Sequence, residues 1–340
     1  MIERKKVLIT GGAGFIGTHV AEALAPHNDV TLLDIDLDHV LRFSPLANDD
    51  RVRKVLGDVR DPEIVEEEVS KCQILLHYAS ILGVKKVIDH ARDTIDTIIL
   101  GVRNILEAAR KNDEIERIVY ISTSEVYGDA MDTRVGALAS VGTHNDPRLC
   151  YASAKLMGEH QVWAYHRDFD LPTVIVRPFN IYGPYRTASN AVGLFVVKAL
   201  AGEDVTLYGD GSQLRSWCYI DDFRDGMLAC IERREAVGED FNLGNGVTAA
   251  TIYDLAQRTI RLAGSSSKII TTDHKFSDIG VRLSNADKAR ELLEYEPRYD
   301  MDAGLVPTIA WHRDHLVEFR HWLKHPVVDR KIRKHEPVPK

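Results

Sequence analysis

The chain has 340 residues, 44% of them hydrophobic, enough to bury one large core or two smaller ones; its formal net charge of −8 gives no general electrostatic reason to bind nucleic acid or an anionic membrane. No apolar run reaches membrane-spanning length, and Met1 to Lys6 leads straight into a strand-like segment without the hydrophobic stretch of a signal peptide. Four widely spaced cysteines (Cys72, Cys150, Cys218 and Cys230) make neither a disulfide framework nor a metal-ligand pattern, so the economical reading is a reduced, cytoplasmic protein with no metal.

Lys6-Val-Leu-Ile-Thr10 is a short apolar run of the kind a buried parallel strand shows. It runs directly into Gly11-Gly-Ala-Gly-Phe-Ile-Gly17, and Thr18 to Leu24 then has helical spacing. Strand, glycine turn and helix in that order is the context of a dinucleotide site rather than of a bare glycine-rich turn. Gly11 and Gly14 permit a tight turn and close approach of backbone to a pyrophosphate. Gly17 lets the helix pack on the strand, and Phe15 and Ile16 stand where its free N–H groups face the phosphates. A second apolar strand, Val30 to Leu33, ends in Asp34, about twenty residues on, where a carboxylate accepts both ribose hydroxyls of an adenosine and repels a 2′-phosphate. The cofactor expected is NAD rather than NADP. Gly57-Asp58-Val59 follows a third strand-like segment and offers an acidic side chain to the adenine amino group.

Gln73 to Ser80 reads as the fourth strand, its end (Tyr78, Ala79, Ser80) pointing at the cofactor. A helical stretch from Thr94 to Ala109 and a strand from Arg117 to Ser122 follow. This alternation predicts an α/β fold, a doubly wound parallel sheet that binds ligands outside the carboxyl ends of its strands. Ser122-Thr-Ser-Glu-Val-Tyr-Gly128 begins at such an end, with hydroxyls and a carboxylate where a substrate lies. Tyr151 and Lys155 in CYASAK are four apart, on one face if helical; a cation there favours the phenolate and makes Tyr151 a candidate base. A packed ring beside a solvated charge is the bland reading of that spacing alone.

Taken together, GGAGFIG, the strand-end Asp34, GDV, STSEVYG, YASAK and RPFNIYGP resemble the extended short-chain dehydrogenase/reductase family that modifies nucleotide sugars, over roughly residues 5 to 310. The resemblance implies a Rossmann domain over 1–180 with a returning segment at about 216–246. It further implies a smaller substrate domain over 181–215 and 247–325 that closes on a nucleoside diphosphate sugar, and a homodimer built on the Tyr151 helix and the long helix before it. The basic run near the end (Arg330, Lys331, Arg333, Lys334) reads as part of a solvated tail, 326–340. By the same resemblance Tyr151 abstracts a sugar hydroxyl proton, while Lys155 lowers its pKa and bonds the nicotinamide ribose. Thr123 bonds the reacting sugar oxygen with Ser124 beside it, Ser122 and Pro178 lie near the cofactor, and Asn180, Arg186, Tyr208, Arg215 and Arg282 are the candidate substrate contacts. Tyr78 and Ser80 depart from the family's small apolar residues and predict a more polar cofactor wall.

The common first step is oxidation of the sugar at C4, with the proton going to Tyr151 and hydride to NAD. Glu125 is the residue that discriminates among the fates of the resulting ketone: glutamate there resembles decarboxylases and dehydratases more than epimerases. With Val-Tyr-Gly after it and Arg215 later, the chain most resembles UDP-glucuronate decarboxylases. A nucleotide-sugar 4-epimerase and a 4,6-dehydratase remain alternatives, as does a dinucleotide sensor without chemistry, against which stand the retained Tyr151 and Lys155.

Overall fold

The computed structural model describes residues 2–319 apart from 138–140, 142–147, 188–189 and 274–278. The basic run near the end, in the tail expected over 326–340, lies outside the described residues. Six strands, β1 (Lys6–Thr10), β2 (Asp29–Asp34), β3 (Arg53–Leu56), β4 (Ile74–His77), β5 (Arg117–Ile121) and β6 (Thr173–Pro178), join a seventh, Asp240–Leu243, in one sheet whose pairings are all parallel. The order across it is the seventh strand, β6, β5, β4, β1, β2, β3.

The unbroken apolar runs read from the sequence follow from burial on both faces. Within β1, Val7 and Ile9 pack with Val20, Ala21 and Leu24 of α1 (Phe15–Leu24) and with Phe223 and Met227 of the Ile220–Glu232 helix. Leu8, between them, points the other way, into a cluster with Val102, Ile105 and Leu106 of the Ala91–Ala109 helix and Val162 of the Leu149–Phe169 helix. Leu32 and Leu33 divide in the same manner, as do Leu76 and Leu75. The Ala91–Ala109 and Leu149–Phe169 helices pack on each other, and Gly158 lets the second lie close on the sheet: a Cβ there would collide with the hydroxyl of Tyr120 on β5.

β4 stops at His77 rather than running to Ser80. Its ladder partner β1 ends at Thr10, which accepts from the Tyr78 amide at 2.9 Å, and the chain then turns away at Gly11 with φ of 67°. Residues 78–80 are therefore free to leave the sheet and form one wall of the crevice that opens where the strand order reverses, between β1 and β4. Past β6 the alternation gives way to small sheets. The strand Leu214–Ser216 pairs antiparallel with Ala249–Thr251 and parallel with Val281–Arg282, and Val205–Tyr208 pairs with Ile269–Thr272. Among the described residues no helix is long and apolar enough to cross a membrane.

Candidate active site

The crevice at the switch point is lined by Gly11, Gly14, Phe15, Ile16 and Gly17 from the first turn and helix, and by Asp34, Asp58, Val59, Tyr78, Ala79 and Ser80 from the strand ends. Tyr151, Lys155 and Arg186 also border it. A Cβ at Gly11 would stand 2.6 Å from the Ala79 amide nitrogen, so this turn and the β4 exit are held at a separation only glycine permits. No side chain among the described residues caps α1 at Gly14, which leaves the first amides of the helix to an anion. Asp34 is buried at the end of β2, its carboxylate accepting from the amides of Ala13 (3.2 Å) and Asp36 (3.3 Å). These groups fit a dinucleotide, and Ser80 adds a buried hydroxyl in the crevice wall that has no hydrogen-bond partner among the described residues.

Of the two residues expected to make the wall polar, Ser80 turns its hydroxyl into it, whereas Tyr78 does not. The Tyr78 hydroxyl is buried toward Cys230, its ring packs on the main core, and burial holds the phenol well above its usual range. Asp58 carries a partner that sequence reasoning missed: Arg60 donates to it through Nε (3.0 Å) and Nη2 (2.6 Å) and reaches Asp93 at 3.4 Å. Ser122 and Pro178 do not border the crevice, and Ser122 Oγ donates to Glu159 Oε1 at 2.5 Å instead. Arg186, expected on the substrate, lies 4.9 Å over the Phe15 ring in the dinucleotide crevice.

Tyr151 and Lys155 sit on the Leu149–Phe169 helix, both buried, and Thr123 is the hydroxyl that acts on the phenol. The 3₁₀ turn Ser124–Tyr127 starts at Thr123, whose hydroxyl accepts from the Glu125 amide at 3.2 Å, so the residue that caps the turn also favours the phenolate. Burial raises the Tyr151 pKa, and the charge of Glu125 raises it further; Thr123 and Arg186 oppose them. The charges acting on the phenol are thus Glu125 and Arg186, and the expected lowering by Lys155 is not among these effects. The physical reason is direction: Lys155 Nζ donates to the Ile121 carbonyl at 2.6 Å and lies 5.0 Å over the Tyr120 ring. Burial pulls this ammonium down to about 7 against the favourable charge of Glu159.

Arg282 enters from 158 residues away. Its guanidinium donates to the carbonyls of Ser124 and Gly128, at the two ends of the Ser124–Tyr127 turn. Burial brings it down to about 10, with Glu125 and Asp129 favouring its charge and Arg215 and Arg148 opposing it. Arg215 donates to the carbonyls of Leu214 (3.0 Å) and Ile279 (2.5 Å), and Asn180 Nδ2 donates to the Ser216 carbonyl (2.8 Å) on the same strand. Tyr208 is exposed and does not border the crevice.

Comparison with known proteins agrees with this geometry. Residues 7–244 match the model of the NAD-dependent epimerase/dehydratase family. The chain is 32% identical over 328 residues to a UDP-N-acetyl-alpha-D-glucosaminuronate decarboxylase of Bacillus cytotoxicus, covering 92% of this chain and 98% of that one. It is 31% identical to a dTDP-glucose 4,6-dehydratase of Streptomyces niveus, with 91% and 93% covered. The fold is similar to that of the UDP-glucuronic acid 4-epimerase of Bacillus cereus solved with UDP-glucuronic acid and NAD (TM-score 0.82, 26% identity, 91% of this chain and 99% of that one).

Proposed function

The chain belongs to the NAD-dependent epimerase/dehydratase family, a family of nucleotide-sugar enzymes, and on that premise we propose that it is a decarboxylase of a nucleotide-linked uronate, with UDP-glucuronate as the first candidate substrate. The observation that carries the reading is the placement of Arg282 against the Ser124–Tyr127 turn, beside Glu125 and within the field of the groups around Tyr151. A buried guanidinium bonded to the turn that carries Glu125 matches a carboxylate carried by the sugar itself, for which a planar, charged fork is the natural partner. The similarity to a uronate decarboxylase over nearly the whole length supports the same choice.

In this mechanism Thr123 and Tyr151 hold the C4 hydroxyl, and Tyr151 as phenolate removes its proton. When bound, NAD supplies the hydride acceptor for C4, returns that hydride at the end, and brings positive charge to the crevice. With C4 a ketone, the C5–carboxyl bond breaks, its electron pair moves into the C4 carbonyl, and carbon dioxide leaves. Thr123 and Tyr151 stabilise the oxyanion that forms at O4. C5 then takes up a proton, for which Glu125 is the titratable group on the turn, and Tyr151 returns its proton to O4 as C4 is reduced. Arg282 orients the carboxylate before cleavage, and Arg215 with Asn180 serves the diphosphate. The segments 181–215 and 247–325 form the substrate domain in this reading. Exposed Ile95, Leu100, Met157 and Trp163 on the two packed helices support a homodimer.

Proton NMR of the protein with NAD and UDP-glucuronate tests the proposal. Appearance of a UDP-pentose with loss of the C5 carboxyl carbon is the expected result. UDP-galacturonate would replace the proposal with 4-epimerisation, and an unchanged spectrum with UDP-glucuronate and with its 2-acetamido counterpart would remove uronates as the substrate class.

A further inference from the structure

One buried ion pair beneath the catalytic helix takes no part in the proposed reaction. Glu159 is one turn beyond Lys155 on the same helix and is almost wholly buried. Its carboxylate accepts from Arg177 Nε (2.8 Å) and Nη2 (2.6 Å) and from Ser122 Oγ (2.5 Å). Arg177 is held in turn by Asp240 (2.8 Å) and by the Tyr127 hydroxyl (3.0 Å). Tyr127 donates its hydroxyl proton to Asn242 Oδ1 (2.9 Å), whose amide donates to the carbonyls of Thr133 and Asn285. Ser122 directly follows Ile121, whose carbonyl is the acceptor of Lys155 Nζ. Glu159 thereby fixes the strand end that receives the lysine and, from the same helix, sets a negative charge near its ammonium.

A structural ion pair would need only Glu159 and Arg177. Its placement matters because burial works against the charge of Lys155 and the other groups nearest its ammonium are neutral. His77 on β4 faces it as a neutral ring, Tyr151 on its own helix is a phenol whose pKa burial raises, and the Tyr120 ring beneath it on β5 favours the cation without carrying charge. Glu125 on the turn and Arg186 from the loop after β6 act on Tyr151, and Arg177 on β6 is already matched by Glu159 and Asp240. Glu159 is the carboxylate that acts on Lys155. A lysine buried this deeply loses its proton near neutrality unless an anion is held close.

We propose that Glu159 is a positioning residue of the active site: through Ser122 it holds the Ile121–Ser122 strand end to which the Lys155 ammonium is bonded, and from the same helix its charge favours that ammonium. The assignment rests on Lys155 belonging to the active site and not on the identity of the sugar. The test is ¹³Cε NMR of the full-length chain labelled at lysine, followed from pH 5.5 to 10.5. The Lys155 signal is identified by its loss in Lys155→Met. In Glu159→Gln the midpoint of that signal should fall by about one pH unit, and NADH, titrated by fluorescence, should lose affinity at correspondingly lower pH. Glu159→Gln leaves Arg177 less well matched, so Glu159→Gln/Arg177→Gln, which removes the pair together, is measured beside it and should also titrate below the wild type. A Lys155 midpoint unchanged in the folded single variant, or in the double variant where the single one does not fold, overturns the proposal.

Discussion

Arg215 and Arg282 stand opposite each other as register partners on the parallel strands Leu214–Ser216 and Val281–Arg282, both buried, and each opposes the other's charge. Like charges placed directly across a strand pair are destabilising unless something anionic joins them. The two guanidiniums are divided between neighbouring tasks in the proposed reaction. Arg282 reaches the turn that meets Tyr151, while Arg215 remains with the strand tied to Asn180. Arg282→Gln should lower kcat/KM for the uronate by about 10²–10³-fold, an amount in keeping with loss of a buried charge-assisted contact, and should leave NADH affinity close to wild type. Steady-state kinetics with fluorescence titration checks both. An equal loss for a neutral hexose nucleotide would show that Arg282 binds the diphosphate instead.

Tyr151→Phe keeps the ring in its buried site and removes only the hydroxyl proposed to take the proton. Turnover should fall by about 10³-fold or more, the usual range for a lost general base, with NAD binding little changed. Single-turnover absorbance at 340 nm is the direct readout, since wild-type enzyme should build up some reduced cofactor on mixing with its sugar nucleotide and this variant should not.

How much of this was legible in the sequence depended on how local the signal was. The strand, glycine turn and α1 lie within twenty residues, and their order already implied the crevice in which Gly11, Asp34, Tyr151 and Lys155 meet. What lay beyond reach was side-chain direction. A spacing of four put Lys155 on the face of Tyr151 but could not show that Nζ turns to the Ile121 carbonyl, because that acceptor belongs to β5. Arg282 was readable as a substrate arginine, yet its contact with the Ser124–Tyr127 turn depends on the small three-stranded sheet, which no periodicity announced. Arg60 and Arg177 escaped for a related reason. Each is buried beside carboxylates that precede it in the chain, Asp58 and Glu159, and nothing in the sequence separates such arginines from surface charges.

Gly11 offers a test of the cofactor site that needs no substrate. Its φ of 67° and the 2.6 Å approach of a Cβ to the Ala79 amide mean that Gly11→Ala forces backbone, not a flexible side chain, to move. Stability should drop by about 1–3 kcal/mol, and NADH affinity should fall with it, because the turn and the β4 exit that shape the crevice separate. Urea unfolding and fluorescence titration measure the two effects, and a variant with wild-type affinity would show that the close approach is not what forms the site.

The exposed apolar side chains of the two packed helices support a dimer, and Met157→Glu/Trp163→Glu tests it. Both residues are about half exposed on the Tyr151 helix, so charging them should cost the isolated chain little. Light scattering should give a mass near twice that of one chain for the wild type and a single-chain mass for the variant. A wild-type monomer would dismiss the dimer outright.

Acid stability should be governed by buried histidines. His77, on β4, has its Nδ1 2.7 Å from the Thr10 hydroxyl and its Nε2 buried without a partner among the described residues, and burial lowers it to about 3; burial also lowers His19 and His312. In the unfolded chain these rings take up protons near the ordinary value of about 6.5, whereas the folded state keeps them neutral. Between 6.5 and the lower folded values the unfolded state binds more protons, so their contribution is complete above about 6.5 and is lost progressively as pH falls toward 3. The melting temperature should therefore decline between pH 7 and pH 4. His77→Gln, which cannot titrate, should be less stable than wild type at pH 8 because it repacks a tight site, but its melting temperature should fall less steeply with acid. Parallel declines in the two proteins would mean that His77 is not among the groups that take up protons on unfolding.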